Sequence, residues 1–147
     1  MRTTEEGLQI AVQLVRDRSI RKDREVISSA VEVRGRLRYL ELKDREHFVV
    51  LHLDVRNGLI GIETVSIGSL TATIVHPREV LKGALLCNSA GLIVAHNHPS
   101  GDSTPSPEDR DTTKRLSRAG EIMGIPLLDH IIIASDSYFS FKEKNWL

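Results

Sequence analysis

Two histidines one residue apart, His96 and His98, end the apolar run GLIVA; a turn-rich loop follows, and then Ser106 and Asp109. Imidazole nitrogens and a carboxylate oxygen are zinc ligands. In a strand, residues i and i+2 point to the same side, so His96 and His98 can aim at one point while Asn97 faces away. Ser106-Pro107 reads as a helix start, with Ser106 as N-cap and Pro107 at the first position. Asp109 then lies three positions past the cap, near the positive end of the helix dipole, and can turn back toward the strand end. Two nitrogens and one oxygen leave a fourth tetrahedral position for water, the arrangement of a catalytic zinc rather than a closed structural one. A plainer reading stands beside this one: Ser106 and Asp109 form a reciprocal capping box, and the histidines only contact backbone.

The elements that position these residues follow from periodicity. Leu8, Ala11, Val12 and Val15 fall at helical spacing behind Thr3 and Thr4 as N-caps, and Val26, Ala30, Val33, Leu37 and Leu40 keep the same period. Two amphipathic helices are expected to open the chain, the first within an extension over residues 1–24. Gly35 weakens the second by about 1 kcal/mol relative to Ala. From His47 two β-rich runs flank Asn57-Gly58, which predicts a hairpin with a type I′ turn. A short strand TATIV, a helix opening at Pro77, and the buried strand GLIVA come next. Past the loop, Thr113, Leu116, Gly120 and Met123 form the inward face of a helix that Gly124 ends. HIIIAS and SYFSF are two last strands around the turn Asp136-Ser137. This alternation predicts one α/β domain over 1–147, a mixed sheet with helices on its faces.

Composition narrows the partners. The 147 residues are 40% hydrophobic, enough for one core, and twenty Lys+Arg balance twenty Asp+Glu. DNA is a conceivable partner that charge does not support. The single cysteine, Cys87, supplies neither a disulfide nor a Cys-rich zinc cage, and a reducing cytoplasm is the expected location. No apolar run approaches the roughly 20 residues of a membrane span, and the N-terminus lacks a signal-peptide pattern. The sequence does not fix an oligomeric state.

The joint pattern of His-x-His, seven residues, Ser, two residues and Asp resembles the JAMM (MPN+) metalloprotease motif. The segments REHF, HPREV, HNHPSGD, PSPED and DHIII are closer still to its RadC-like branch, over about residues 25 to 142. Asn97 departs from the Ser or Thr usual in JAMM deubiquitinases and is similar to the RadC-like form. The resemblance implies a three-layer α/β/α fold of the JAMM/MPN type, related to the cytidine deaminases. It implies a zinc-dependent hydrolase of peptide or isopeptide bonds. By motif matching, His96, His98 and Asp109 hold the metal, Glu46 is the general base, and Ser106 stabilises the oxyanion. Glu63 and Glu79 are fallback bases. The RadC-like branch also carries a DNA-repair label, which makes a non-enzymatic, DNA-associated module the alternative. Longer members bear an N-terminal helix-hairpin-helix region for which this chain has too few upstream residues.

Other polar residues are expected to be structural. His47, His52 and His76 lie on or beside strands and read as packed or half-exposed. Asp129-His130 could orient a metal ligand, but a structural role is favoured. Pro99, Gly101 and Pro105 shape the loop, and Ser100 and Asp102 either touch substrate or cap turns. The tripeptide HNH is not the signature of HNH nucleases, whose residues are spread along a ββα unit. A zinc nucleobase deaminase is excluded, because it needs His-x-Glu with Pro-Cys-x-x-Cys.

Overall fold

The computed structural model describes residues 10–15, 24–68 and 75–147. Among the described residues five strands and three helices follow one another: α1 (Ala30–Arg36), a 3-10 turn (Arg38–Leu42), β1 (Glu46–Leu53), β2 (Leu59–Gly68), α2 (Pro77–Leu86), β3 (Gly91–Asn97), α3 (Pro107–Met123), β4 (Leu127–Ala134) and β5 (Ser137–Ser140). The strands form one mixed sheet in the order β2-β1-β3-β4-β5. Only β3 and β4 run parallel, joined through α3, and every other pair is antiparallel.

The strand β3 is buried along its whole length because it lies centrally, with β1 on one side and β4 on the other. That is why GLIVA reads as an unbroken apolar run rather than an alternation. Side chains leave the sheet on both faces into two cores. Val49, Leu51, Ile93, Ala95, Ile131 and Ile133 pack with Val33, Leu37 and Leu40 of α1 and its 3-10 turn. On the opposite face Phe48, Val50, Leu92 and Val94 pack with Val80 and Ala84 of α2 and Leu116 of α3. The result is the three-layer α/β/α mixed sheet expected from the sequence.

Topology brings the chemistry to one edge. Because β1 is antiparallel to β3, its first residues lie beside the last residues of β3, with Phe48 opposite His96. The carboxyl end of β3, the amino end of α3 and the amino end of β1 therefore meet, at the sheet edge where open α/β folds place their sites.

Several local expectations are corrected. Ile10 to Val15 is exposed among the described residues and carries neither helix nor strand; an amphipathic stripe left facing solvent has little to stabilise it. Thr3, Thr4 and Leu8 lie outside the described residues, as does all of TATIV except Val75. The second helix begins only at Ala30, capped by the Ser29 side chain, which accepts from Glu32 N–H. Upstream of it the backbone pairs instead with the hairpin turn: Ile27 N–H donates to Asn57 C=O, and Leu59 N–H to Glu25 C=O. The hairpin turn spans Asp54 to Gly58, and of its two signature residues only Asn57 has positive φ, 59°. Asp54 accounts for the difference, since its carboxylate accepts from Arg56 and Gly58 N–H and stabilises the longer loop. Met123 is 45% exposed rather than inward, because Gly124 (φ 70°) ends α3 there. The last turn falls on Ser135-Asp136, one residue earlier than expected, with Asp136 at φ 59°.

Candidate metal centre

Ser106 and Asp109 form the capping box, and the same Asp109 carboxylate lies beside both histidines. Ser106 Oγ accepts from Asp109 N–H at 3.1 Å, and Asp109 Oδ2 accepts from Ser106 N–H at 2.8 Å, a complete capping box. The box does not use up the carboxylate. Asp109 Oδ1 lies 3.1 Å from His96 Nε2, and Oδ2 lies 3.2 Å from His98 Nε2. The two Nε2 atoms are 3.0 Å apart. Capping thus sets the carboxylate's rotamer, and the rotamer aims it at the histidines.

This triangle fits a metal ion. A tetrahedral ion with bonds of about 2.0 to 2.1 Å holds its donor atoms about 3.3 Å apart, close to the three separations found here. Among the described residues, His96, His98 and Asp109 are the one group of three or more His, Cys, Asp or Glu that could hold an ion. Beside them is a cavity of about 20 Å³, room for a water-sized occupant, lined by Glu46, His96, Asp109, Thr112 and His130 among others.

Each ring is held from behind. His98 Nδ1 faces the Asp102 carbonyl at 2.7 Å, which turns Nε2 inward; Gly101, at φ 85°, bends the loop that brings this carbonyl round. His96 is 3% exposed, stacks on Phe48 with centroids 5.9 Å apart, and meets His130 Nε2 through its Nδ1 at 2.8 Å. His130 is fully buried against Phe141 and meets Thr113 Oγ1 at 2.6 Å through Nδ1.

Electrostatics follow from the same contacts. Burial opposes ionisation of Asp109, yet the imidazoles of His96 and His98 beside it outweigh burial and hold the carboxyl far below the usual range. Burial also opposes charge on His98, but its bonds to Asp109 and to the Asp102 carbonyl leave its pKa above the ordinary imidazole value. Burial, then repulsion from His96, pushes His130 well below that value, so it is neutral.

Glu46 opens β1 and lines the cavity. Its position rests on Asn97, the residue between the two histidines. The Asn97 side chain is 1% exposed; its Oδ1 accepts from His47 N–H at 2.7 Å and its Nδ2 donates to Arg45 C=O at 2.9 Å. Both neighbours of Glu46 are therefore pinned by one amide. Glu63 instead faces His52 at 2.9 Å, and Glu79 pairs with Lys82 on α2; neither lines the cavity. His52 is buried between Ser89 and Glu63, while Asp102 caps Thr104 N–H.

Residues 27–146 match the RadC-like JAB domain. The chain belongs to that family. A UPF0758 protein of Desulfitobacterium hafniense (strain DSM 10664 / DCB-2) is 48% identical over 95% of this chain and 63% of its own length. Similar proteins of that name occur in Caldanaerobacter subterraneus, 49% identical over 87% of this chain and 52% of the relative, and in Shouchella clausii, 56% over 69% and 44%. The chain thus spans less than two thirds of the length of these relatives. The mixed sheet with helices on both faces is that of a JAB/MPN domain, as the RadC-like segments implied. No helix among the described residues is long and apolar enough to cross a membrane.

Sequence alone assigns no role to Asn97 and places Thr113 only on the inward face of its helix. For Asn97 the available signal was its place inside the His-x-His pair, on a strand whose other side is also buried. For Thr113 it was the i+4 spacing from Asp109.

Proposed function

We propose that this RadC-like JAB domain is a zinc-dependent hydrolase of peptide or isopeptide bonds, acting in the cytoplasm on a peptide or protein substrate. The observation that carries the reading is the convergence of His96, His98 and Asp109 at 3.0 to 3.2 Å beside a cavity that Glu46 also lines. A bound zinc would lower the pKa of water from about 15.7 to about 7 and polarise the scissile carbonyl. Glu46 accepts the proton of the attacking water and passes it to the leaving amine, the role a carboxylate at the cavity wall performs in general acid–base catalysis. Ser106 Oγ accepts from Asp109 N–H, which leaves its own hydroxyl hydrogen to donate to the oxygen where charge develops. Loss of such a donor costs about 10² to 10³ in rate. His96, His98 and Asp109 would hold the ion and supply one negative charge, so a divalent cation bound there would keep a net positive charge that favours an oxyanion.

The test is elemental analysis of the protein purified without added metal, beside His98→Ala. About one zinc per chain in the wild type and little in the variant supports the centre. Peptide and isopeptide substrates are then screened with Glu46→Gln as control. No metal in either protein after zinc is supplied would sink the proposal.

One observation favours the second reading, a DNA-associated binding module. A groove of about 550 Å³ runs along α3, lined by Arg110, Lys114, Arg118, Glu121 and Trp146 among others, with the Arg110 guanidinium 4.2 Å from the ring centroid of the partly exposed Trp146. Cations beside an accessible aromatic ring suit single-stranded nucleic acid. This reading requires oligonucleotide affinity that falls steeply with salt and is lost in Lys114→Glu/Arg118→Glu; salt-independent or absent binding removes it.

A further inference from the structure

Behind His96 runs a chain of hydrogen bonds whose direction is fixed by counting protons. It passes from His96 Nδ1 to His130 Nε2 (2.8 Å), from His130 Nδ1 to Thr113 Oγ1 (2.6 Å), and from Thr113 Oγ1 to the backbone carbonyl of Asp109 (2.6 Å). A carbonyl oxygen can only accept, so the single hydroxyl hydrogen of Thr113 goes to Asp109 C=O. Thr113 Oγ1 is then an acceptor toward His130, and Nδ1 of His130 must carry a hydrogen. His130 is 0% exposed, and no carboxylate among the described residues lies within hydrogen-bonding distance of its ring, so a second ring proton would leave a buried unpaired charge. Its Nε2 is therefore bare and accepts from Nδ1–H of His96. With that hydrogen on Nδ1, a neutral His96 keeps the lone pair of Nε2 for the point where His98 and Asp109 converge.

We propose that Thr113 and His130 are positioning residues that set the tautomer of His96, so that its Nε2 is available to a metal. The relay begins and ends on ligands, since the carbonyl that anchors Thr113 belongs to Asp109. One four-membered chain of groups thus fixes both the ring of His96 and the first turn of α3 that carries Asp109. Metal-bound histidines usually donate their second nitrogen to a carboxylate, carbonyl or water. A neutral imidazole accepts here, and it can do so only while Thr113 takes its other hydrogen. Removing the hydroxyl frees His130 to move its proton to Nε2; that proton then faces Nδ1 of His96 and drives the His96 hydrogen onto Nε2, where it blocks the metal. Phe141, stacked on His130 with centroids 4.9 Å apart and 9° between planes, holds the ring in the plane this exchange requires.

The role rests on the metal reading of the site, and the test separates the two. Long-range ¹H–¹⁵N spectra of the folded protein, metal-free and zinc-supplied, report which nitrogen of each imidazole is protonated. The expected result is His130 protonated at Nδ1 and bare at Nε2 in both samples; His130 protonated at Nε2 overturns the relay. Zinc affinity is then measured by competition with a chelating dye. Thr113→Val, which keeps the shape and loses the hydroxyl, is expected to bind zinc about 10- to 100-fold more weakly, the usual effect of losing such a support. Thr113→Ser, which keeps the hydroxyl, retains wild-type affinity. Equal weakening in both variants means Thr113 acts through packing and overturns the proposal, as does wild-type affinity in Thr113→Val. Should Thr113→Val fail to fold, the wild-type spectra and Thr113→Ser still decide. A wild type that takes up no zinc at all sinks the metal reading, whatever tautomer His130 shows.

Discussion

Asn97→Ala separates the support of Glu46 from the binding of the metal. The amide of Asn97 accepts from His47 N–H and donates to Arg45 C=O, at 2.7 and 2.9 Å, and is 1% exposed. A net hydrogen bond is worth about 1 kcal/mol, and a buried group left unpaired costs about 1 to 3 kcal/mol. Arg45 is exposed, so its carbonyl regains water, whereas His47 N–H lies at the half-buried start of β1. The sum is about 2 to 4 kcal/mol of stability, read as a lowered urea midpoint with unchanged slope. Amide exchange gives the local readout: His47 N–H, protected in the wild type, should exchange much faster, while the amides of β4 slow or quicken only with global stability. Zinc content should stay at the wild-type value, because Asn97 points away from the face that His96 and His98 share. Turnover of any substrate the wild type hydrolyses should fall by up to about 10²-fold, since a misplacement of about 1 Å can cost that much. Asn97→Asp restores an acceptor for His47 but sets a carboxylate against the Arg45 carbonyl, and should recover only part of the loss. A variant that keeps His47 protection and wild-type stability would refute the clamp; one that loses zinc would show that Asn97 supports the ligands rather than Glu46.

Glu46→Gln is expected to retain about one zinc per chain and to abolish hydrolysis; loss of the metal, or full activity, refutes its role as base. Zinc supplied at about 100 times its dissociation constant should add about 2.7 kcal/mol to wild-type stability and nothing to His98→Ala, checked by urea unfolding with and without zinc. Two glycines of α helices should respond oppositely. A Cβ on Gly120 would sit 2.5 Å from the Ile125 carbonyl oxygen, backbone that cannot step aside, so Gly120→Ala should destabilise by about 1 to 3 kcal/mol. A Cβ on Gly35 meets nothing within 4 Å, so Gly35→Ala should stabilise by up to about 1 kcal/mol, read from the same unfolding curves.

The elements legible in the sequence are those whose signals are local. Pro77 and Pro107 open their helices, Ser106 caps α3, Gly124 ends it, and the β-rich runs on either side of Asn57-Gly58 do pair. The misreadings have three separate causes. Val26 keeps a helical period with Ala30, yet an isolated bridge to Gly58 competes for its backbone, and Gly58 is thirty-two residues away in sequence. The turn after β1 departs from the type I′ form because Asp54, not Asn57-Gly58, organises it; a side chain that caps its own loop outweighs a dipeptide preference. Met123 keeps the helical period with Gly120, yet it is the last residue of α3 and is 45% exposed.

The site divides in the same way. Which residues converge was legible, because the i, i+2 geometry of a strand and the first turn of a capped helix are both local. What holds them was not, because it depends on register between strands that are distant in sequence. His130 pairs with Val94 across the parallel β3–β4 ladder, which puts its ring on the face that His96 shares and within diagonal reach of it. A shift of one residue in that register would turn His130 into the opposite core and leave His96 Nδ1 without a partner. Burial alone therefore makes His130 a packed core histidine; register gives it a proton to accept. The same reasoning applies to Asn97, which lies between the two histidines and yet acts on β1. On a strand buried on both faces, the residue between two ligands has only the other face to serve, and the antiparallel β1 brings the backbone around Glu46 to it. A His-x-His pair on a central strand thus carries two sets of information, one for the ion and one for the strand beside it.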